Sequence, residues 1–254
     1  MRKRPLAECK LCLKVRLLCD SHLIPKAFYT RLSKDDGSVY VKRHDGKLLP
    51  TPHQAKQYLL CEECEERFSK NGESWIITNS SSNEGFPLVE ALRTTQPIGG
   101  NDDDGLIYRT DNVPGVSTDQ LLYFATSVIW RGSVGTWPQL YRWYKPGKEP
   151  ALGVNEEPLR LFLLGEAPFP SNGLLSVNAC NSAKPALYIS FAGSLGAQAD
   201  GHVQFTFLIP GLLFYMVFND PLSNYQLSVI NNPLFPVIQV GPQVWNWIAR
   251  RTHK

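Results

Sequence analysis

Two cysteine pairs of identical spacing, Cys9-Lys-Leu-Cys12 and Cys61-Glu-Glu-Cys64, constrain this chain more than any other feature. Two residues between cysteines let one tight turn aim both sulfurs at a single ion, and two such turns complete a tetrahedron of soft ligands. The pattern predicts a closed, structural Zn²⁺ site built from Cys9, Cys12, Cys61 and Cys64. A pair of disulfides is the competing use of four thiols. Disulfides suit small secreted scaffolds, whereas this chain has 254 residues and opens on Met-Arg-Lys-Arg-Pro-Leu with no apolar run behind it. The expectation is therefore a reducing, cytoplasmic setting. Of six cysteines, Cys19 and Cys180 are left over. Cys19 is near enough to the first pair to serve as a substitute ligand, though a small core residue is the commoner role, and Cys180 sits in an apolar run and reads as core.

The hydrophobic content of 43% is ample for a core and the charged fraction of 19% is too low for a disordered chain. The net charge of +3 is unevenly spread. Arg2, Lys3, Arg4, Lys10, Lys14, Arg16, Lys26, Arg31, Lys34, Lys42, Arg43 and Lys47 crowd the cysteine-bearing end against only Glu8, Asp20, Asp35, Asp36 and Asp45. Such a basic end suits a phosphate backbone, and it also suits the solvated face of a small module. The longest apolar stretch, Val203 to Phe218, is too short to span a bilayer as a helix and is broken by Pro210-Gly211. It reads as a buried hairpin or two adjacent core strands, so no membrane partner is expected. No P-loop, GxSxG or dinucleotide fingerprint is present.

The organisation read from the chain is α+β. Residues 1–75 form a zinc module: a short helix after Pro25, a hairpin over residues 38–49 turning at Asp45-Gly46, and a helix after Leu60 with acids in its first turn. Knuckle, hairpin and ligand-bearing helix are the layout of a treble clef. Residues 76–115 read as a loop-rich linker around a short helical piece near Leu88 to Arg93, because Asn79-Ser-Ser-Ser-Asn83 and Gly99-Gly-Asn-Asp-Asp-Asp-Gly105 are breaker clusters. A body over residues 116–254 then opens with a capping box, Ser117 to Gln120, and a helix with a wide apolar stripe from Leu121 to Trp130. Arg131 follows as either a buried anchor or, more commonly, a solvent-facing cation. A helix is expected over 156–164, strands over 174–179, 186–191, 203–209, 212–218, 226–230 and 236–240, and a closing helix over 242–251.

Over about the first seventy residues the chain resembles the zinc-stapled form of the HNH (ββα-metal, His-Me finger) nuclease family. The resemblance is carried by Cys9-x-x-Cys12, Ser21-His22-Leu-Ile-Pro25 and Leu59-Leu60-Cys61-x-x-Cys64-Glu65. It implies that His22 is the general base that activates water against a phosphodiester. It also places Glu65 in the slot of the family's last metal-binding histidine, where a carboxylate would hold Mg²⁺ or Mn²⁺. His53 or Glu73 would assist. Ser21 stands where the family often has an aspartate, and Lys56 or Gln57 stands near the asparagine that orients the histidine. On this resemblance the chain is a metal-dependent endonuclease, an antiphage-defence or mobile-element effector. It would act on nucleic acid, DNA ahead of RNA, and use its C-terminal body for a signal or a protein partner. The other reading is a non-catalytic zinc module that binds nucleic acid or protein, with His22 bracing the cysteine knuckle and Glu65 serving only as a first-turn helix acid.

Overall fold

The computed structural model describes residues 3–32, 39–42, 48–51, 54–80, 82, 85–101, 105–137, 152–180, 191–192, 203–218 and 237–240. It is mixed helix and strand, as the sequence predicts. The N-terminal part is a small antiparallel sheet of β1 (Leu6–Glu8), β2 (Val15–His22) and β5 (Lys56–Cys61), in the order β1-β2-β5. Helix α1 (Lys26–Leu32) follows β2, and a separate hairpin of β3 (Val39–Lys42) and β4 (Leu48–Thr51) precedes β5. The expected turn at Asp45-Gly46 and the residue His53 lie outside the described residues.

From the end of β5 the chain enters a helical run. Helix α2 (Glu62–Phe68) passes through a π-helical turn, Ser69–Glu73, into α3 (Ser74–Ser80). Gly72 explains why the run can press so closely on the rest of the molecule. A Cβ at Gly72 would stand 2.9 Å from the backbone nitrogen of Phe124, so only glycine lets the two backbones meet. The stretch 76–115, expected as loops, carries α4 (Pro87–Arg93), β6 (Gly99–Asn101) and β7 (Gly105–Ile107). The breaker clusters do flank these elements, but Gly99 and Gly105 themselves belong to strands that pair with each other. Tertiary pairing has overridden weak local preference there.

Helix α5 (Thr118–Val134) is the centre of the structure. The Ser117 hydroxyl accepts from the Gln120 backbone N–H at 3.3 Å, so the N-cap half of the predicted capping box forms. Every residue from Tyr123 to Gly132 is buried, so the helix is covered on all sides rather than along one stripe. One side meets the N-terminal part through Phe68, whose ring stands edge-on to Trp130 at 6.4 Å. Another side meets a seven-stranded sheet, where Phe124 packs edge-on against Phe207 and Phe214. Helix α6 (Glu156–Leu164) packs alongside and ends on Gly165 at φ 75°, the left-handed position glycine adopts without cost.

The large sheet runs β6-β7-β12-β8-β11-β10-β9, with β8 at Gly173–Cys180, β9 at Phe191–Ala192, β10 at Val203–Ile209, β11 at Leu212–Phe218 and β12 at Val237–Val240. The pairing of β12 with β8 is parallel and the other pairings are antiparallel. The apolar stretch 203–218 is the hairpin β10–β11, turning at Pro210-Gly211. The strand expected over 226–230, the closing helix over 242–251 and the side chain of Cys180 lie outside the described residues. Among the described residues one contiguous apolar core joins Cys9, Leu60 and Phe68 to Phe124, Phe207 and Phe218, and Leu174 and Val217 form a small separate cluster. Among the described residues no helix is long and apolar enough to cross a membrane.

Candidate metal centre and the His22 site

The four predicted cysteines converge. Cys9 and Cys12 sit in the turn between β1 and β2, Cys61 closes β5 and caps α2, and Cys64 lies in the first turn of α2. Their sulfurs all lie within 4.8 Å of one another. Cys12 Sγ and Cys61 Sγ are 3.9 Å apart. A tetrahedron with zinc–sulfur bonds of about 2.3 Å has edges of about 3.8 Å, so the spacing fits a four-thiolate site. Cys9 Sγ accepts the Cys61 backbone N–H at 3.3 Å. A hydrogen bond from Cys64, helped by backbone amides and opposed by burial, brings the Cys9 thiol down to about 4. The Cys64 thiol, donor in that pair and buried, is pushed up. The cluster thus already favours thiolate at Cys9, the form that binds metal.

The turn has a cost. Leu13 directly follows Cys12 at φ 58°, a left-handed conformation worth about 1 kcal/mol against a residue with a Cβ. Its N–H bonds the Cys9 carbonyl at 2.8 Å, and Arg160 of α6 donates to the Leu11 carbonyl at 2.7 Å. Cys19 stays outside the cluster. Its sulfur accepts from Arg4 Nη2 at 3.0 Å, and burial raises its thiol.

His22 ends β2, opposite Lys56 of β5. Its Nε2 donates to Gln54 Oε1 at 2.8 Å, which leaves Nδ1 as the acceptor nitrogen. The imidazole is half-buried and 6.0 Å from the Tyr29 ring. Burial lowers its affinity for a proton, and the nearby charges of Lys56 and Lys26 act in the same direction; the Gln54 bond and Asp20 oppose them. The ring is therefore neutral at pH 7.

Adjacent strand residues point to opposite faces, so Ser21 looks the other way. Its buried hydroxyl accepts the Leu60 N–H at 3.2 Å and donates to the Cys19 carbonyl at 3.4 Å, and it lies near the Glu65 carboxyl. Burial pushes the Glu65 carboxyl up, the positive charge of Arg131 and the Ser21 hydroxyl pull it down, and Glu73 adds a smaller upward push. Glu65 Oε1 is buried with no hydrogen-bond partner among the described residues.

Arg131 connects these groups. Its Nη1 donates to the His22 carbonyl at 2.8 Å and its Nη2 to Glu73 Oε1 at 2.7 Å. It is the buried anchor, not the solvent-facing cation. Glu73, expected to assist a catalytic metal, accepts this guanidinium on Oε1. The His22 ring is held by a residue the sequence did not single out. Gln57 Oε1 accepts from Thr136, and Lys56 pairs with Asp20, so neither holds the imidazole. Gln54 does, from just before β5. Its only signal in the sequence is an amide side chain near that strand. No hydrogen bond joins the His22 ring to Glu65 among the described residues; Arg131 bonds the His22 backbone carbonyl and its charge acts on Glu65.

No protein-family model, curated protein or solved structure matches this chain.

Proposed function

We propose that the chain is an HNH-like, metal-dependent endonuclease on a treble-clef zinc frame, cutting nucleic-acid phosphodiesters. The observation that carries the reading is His22, neutral, with Nε2 held on Gln54 and Nδ1 left to accept a proton. A general base must be unprotonated at the working pH, with a free nitrogen held in place to take the proton. Nδ1 takes a proton from a water, whose oxygen attacks phosphorus in line while the leaving oxygen departs opposite. Lys26 and Lys56, near the ring, favour the approach of a phosphate. Glu65 offers a hard oxygen donor with an unpartnered buried atom, which fits a Mg²⁺ or Mn²⁺ ligand. Glu65 lies with Ser21 on the face of β2 opposite to the His22 ring, so a cation bound there would have to meet the phosphate past the end of the strand, which His22 closes, to supply positive charge for its oxygens. The four cysteines hold the frame rather than react. The basic N-terminal end suits DNA, and the C-terminal body would serve partner or signal recognition in an antiphage or mobile-element setting within the cytoplasm.

A second reading is favoured by Arg131. A guanidinium already balances Glu73 and sits near Glu65, so the carboxylates have a cation without any metal. On that reading the module is a non-catalytic binder of nucleic acid or protein. Nicking of supercoiled plasmid, and cleavage of single-stranded RNA, with Mg²⁺ or Mn²⁺ separates the two. Wild-type cleavage abolished in His22→Ala supports the nuclease. Absence of cleavage by zinc-loaded wild type across both metals and both substrates leaves the binding module.

A further inference from the structure

Arg131 is 1% exposed yet carries a full charge. Its donors go in two directions. Nε bonds the Ser127 carbonyl at 3.2 Å and Nη2 reaches Ser127 Oγ at 3.4 Å, which lock the side chain to its own helix. The outer nitrogens then reach 109 positions back to the His22 carbonyl and 58 back to Glu73 in the π-helical turn. The guanidinium carbon stands 5.2 Å over the Phe68 ring, so the planar face is covered as well. One side chain therefore fixes β2, the π-helical turn and α5 relative to each other.

Stability alone is a poor explanation for this arrangement. A buried ion pair loses much of its attraction to desolvation, and apolar residues of similar volume often serve as well. The choice of acceptor is more telling. The His22 carbonyl lies two bonds from the Cα that carries the imidazole. Holding that carbonyl sets the direction of the Cα–Cβ bond, while Gln54 holds the far end of the ring. Backbone and ring are thus each held by a partner, and the backbone partner comes from the body helix.

We propose that Arg131, anchored by Glu73, is the positioning residue of His22: the catalytic frame is completed by α5 of the same chain and is not self-sufficient within the first 75 residues. This rests on the nuclease reading for its kinetic consequence but not for its geometric one. Lysine cannot reproduce the fork that serves two acceptors in one plane. Misplacing a reacting group by about 1 Å costs on the order of 10²-fold in rate.

The test uses the full zinc-loaded chain, with Arg131→Lys and Glu73→Gln compared with wild type. Side-chain ¹⁵N NMR of His22 reads tautomer and titration midpoint, and plasmid nicking with Mg²⁺ or Mn²⁺ reads kcat and KM separately. Asp20, Lys26, Tyr29 and Lys56, the titratable neighbours of the ring, are unchanged in both variants. In Arg131→Lys the expected result is a loss of the uniform Nε2–H tautomer, a midpoint moved up towards 6.5, and kcat lower by about 10- to 100-fold at unchanged KM. Glu73→Gln should shift the same signals in the same direction by less, and it decides the matter if Arg131→Lys does not fold. His22 signals unaltered in the folded variants, whatever their melting temperature, overturn the proposal. Displaced His22 signals in a chain whose wild type cuts nothing support Arg131 as positioner and sink the nuclease reading.

Discussion

Arg131 donates a 2.8 Å hydrogen bond to the carbonyl of His22, and the two residues are 109 positions apart. The bond runs from the central helix of the body to the last residue of the strand that follows the cysteine turn. A second bond of the same kind, from Arg160 to the Leu11 carbonyl, joins α6 to the loop between Cys9 and Cys12. The N-terminal part and the body thus share hydrogen bonds as well as an apolar core, and perturbations of one are expected in the other.

The chain should hold one zinc per molecule. The ligands are Cys9, Cys12, Cys61 and Cys64, whose sulfurs cluster within 4.8 Å. Structural zinc contributes on the order of 10 kcal/mol to folding, so Cys61→Ser or a strong chelator should unfold the N-terminal part and loosen α5 with it. Elemental analysis and near-ultraviolet circular dichroism before and after chelation check this. Freshly purified protein without zinc would contradict it.

His22→Ala should lower cleavage by about 10²–10⁴-fold while leaving zinc content unchanged, because that is the usual contribution of a general base. The pH profile should keep its activity to below pH 6.5, since burial lowers the proton affinity of the ring beneath that ordinary value. The linkage has a definite sign. Below pH 6.5 the unfolded chain protonates His22 more readily than the folded chain, so stability falls as pH drops through the folded value. Denaturant melts between pH 5 and 7.5, the range over which an unperturbed histidine changes charge, should show an acid loss that His22→Gln removes.

Gln54→Glu should raise the titration midpoint of His22. The present amide oxygen already favours the imidazolium form slightly, and a carboxylate at the same 2.8 Å contact would favour it more. Activity at pH 6 should drop while activity at pH 8 is largely kept. Proton NMR of the His22 ring follows the midpoint directly. An unchanged midpoint would show that Gln54 does not hold the ring in solution.

Gly72→Ala should destabilise the whole chain. The new methyl would stand 2.9 Å from the Phe124 backbone nitrogen, and backbone inside a buried helix cannot step aside as a flexible side chain can. Overpacking of this kind costs typically 1–3 kcal/mol. A lower urea midpoint at constant slope is the expected result. If Gly72→Ala is neutral, α5 and the π-helical turn are not in the contact described.

The sequence by itself determined what depends on local spacing. Two CxxC turns present four sulfurs because two intervening residues are enough to close each turn. The capping box at Ser117 starts α5 where it does because one hydroxyl satisfies an otherwise free N–H three residues on. The β10–β11 hairpin is legible because Pro210-Gly211 interrupts two apolar runs of strand length. Tertiary structure alone decided which polar side chains face each other. Gln54, Lys56 and Gln57 are all plausible partners for His22 by composition, and three residues of offset decide among them. That offset depends on the register of β2 against β5, which shifts between Leu18 and Asp20. Arg131 shows the same limit more sharply. An arginine after Trp130 reads identically whether it faces water or a buried carboxylate, because its partners, Glu73 and the His22 carbonyl, are brought to it only when α5 is covered on both sides.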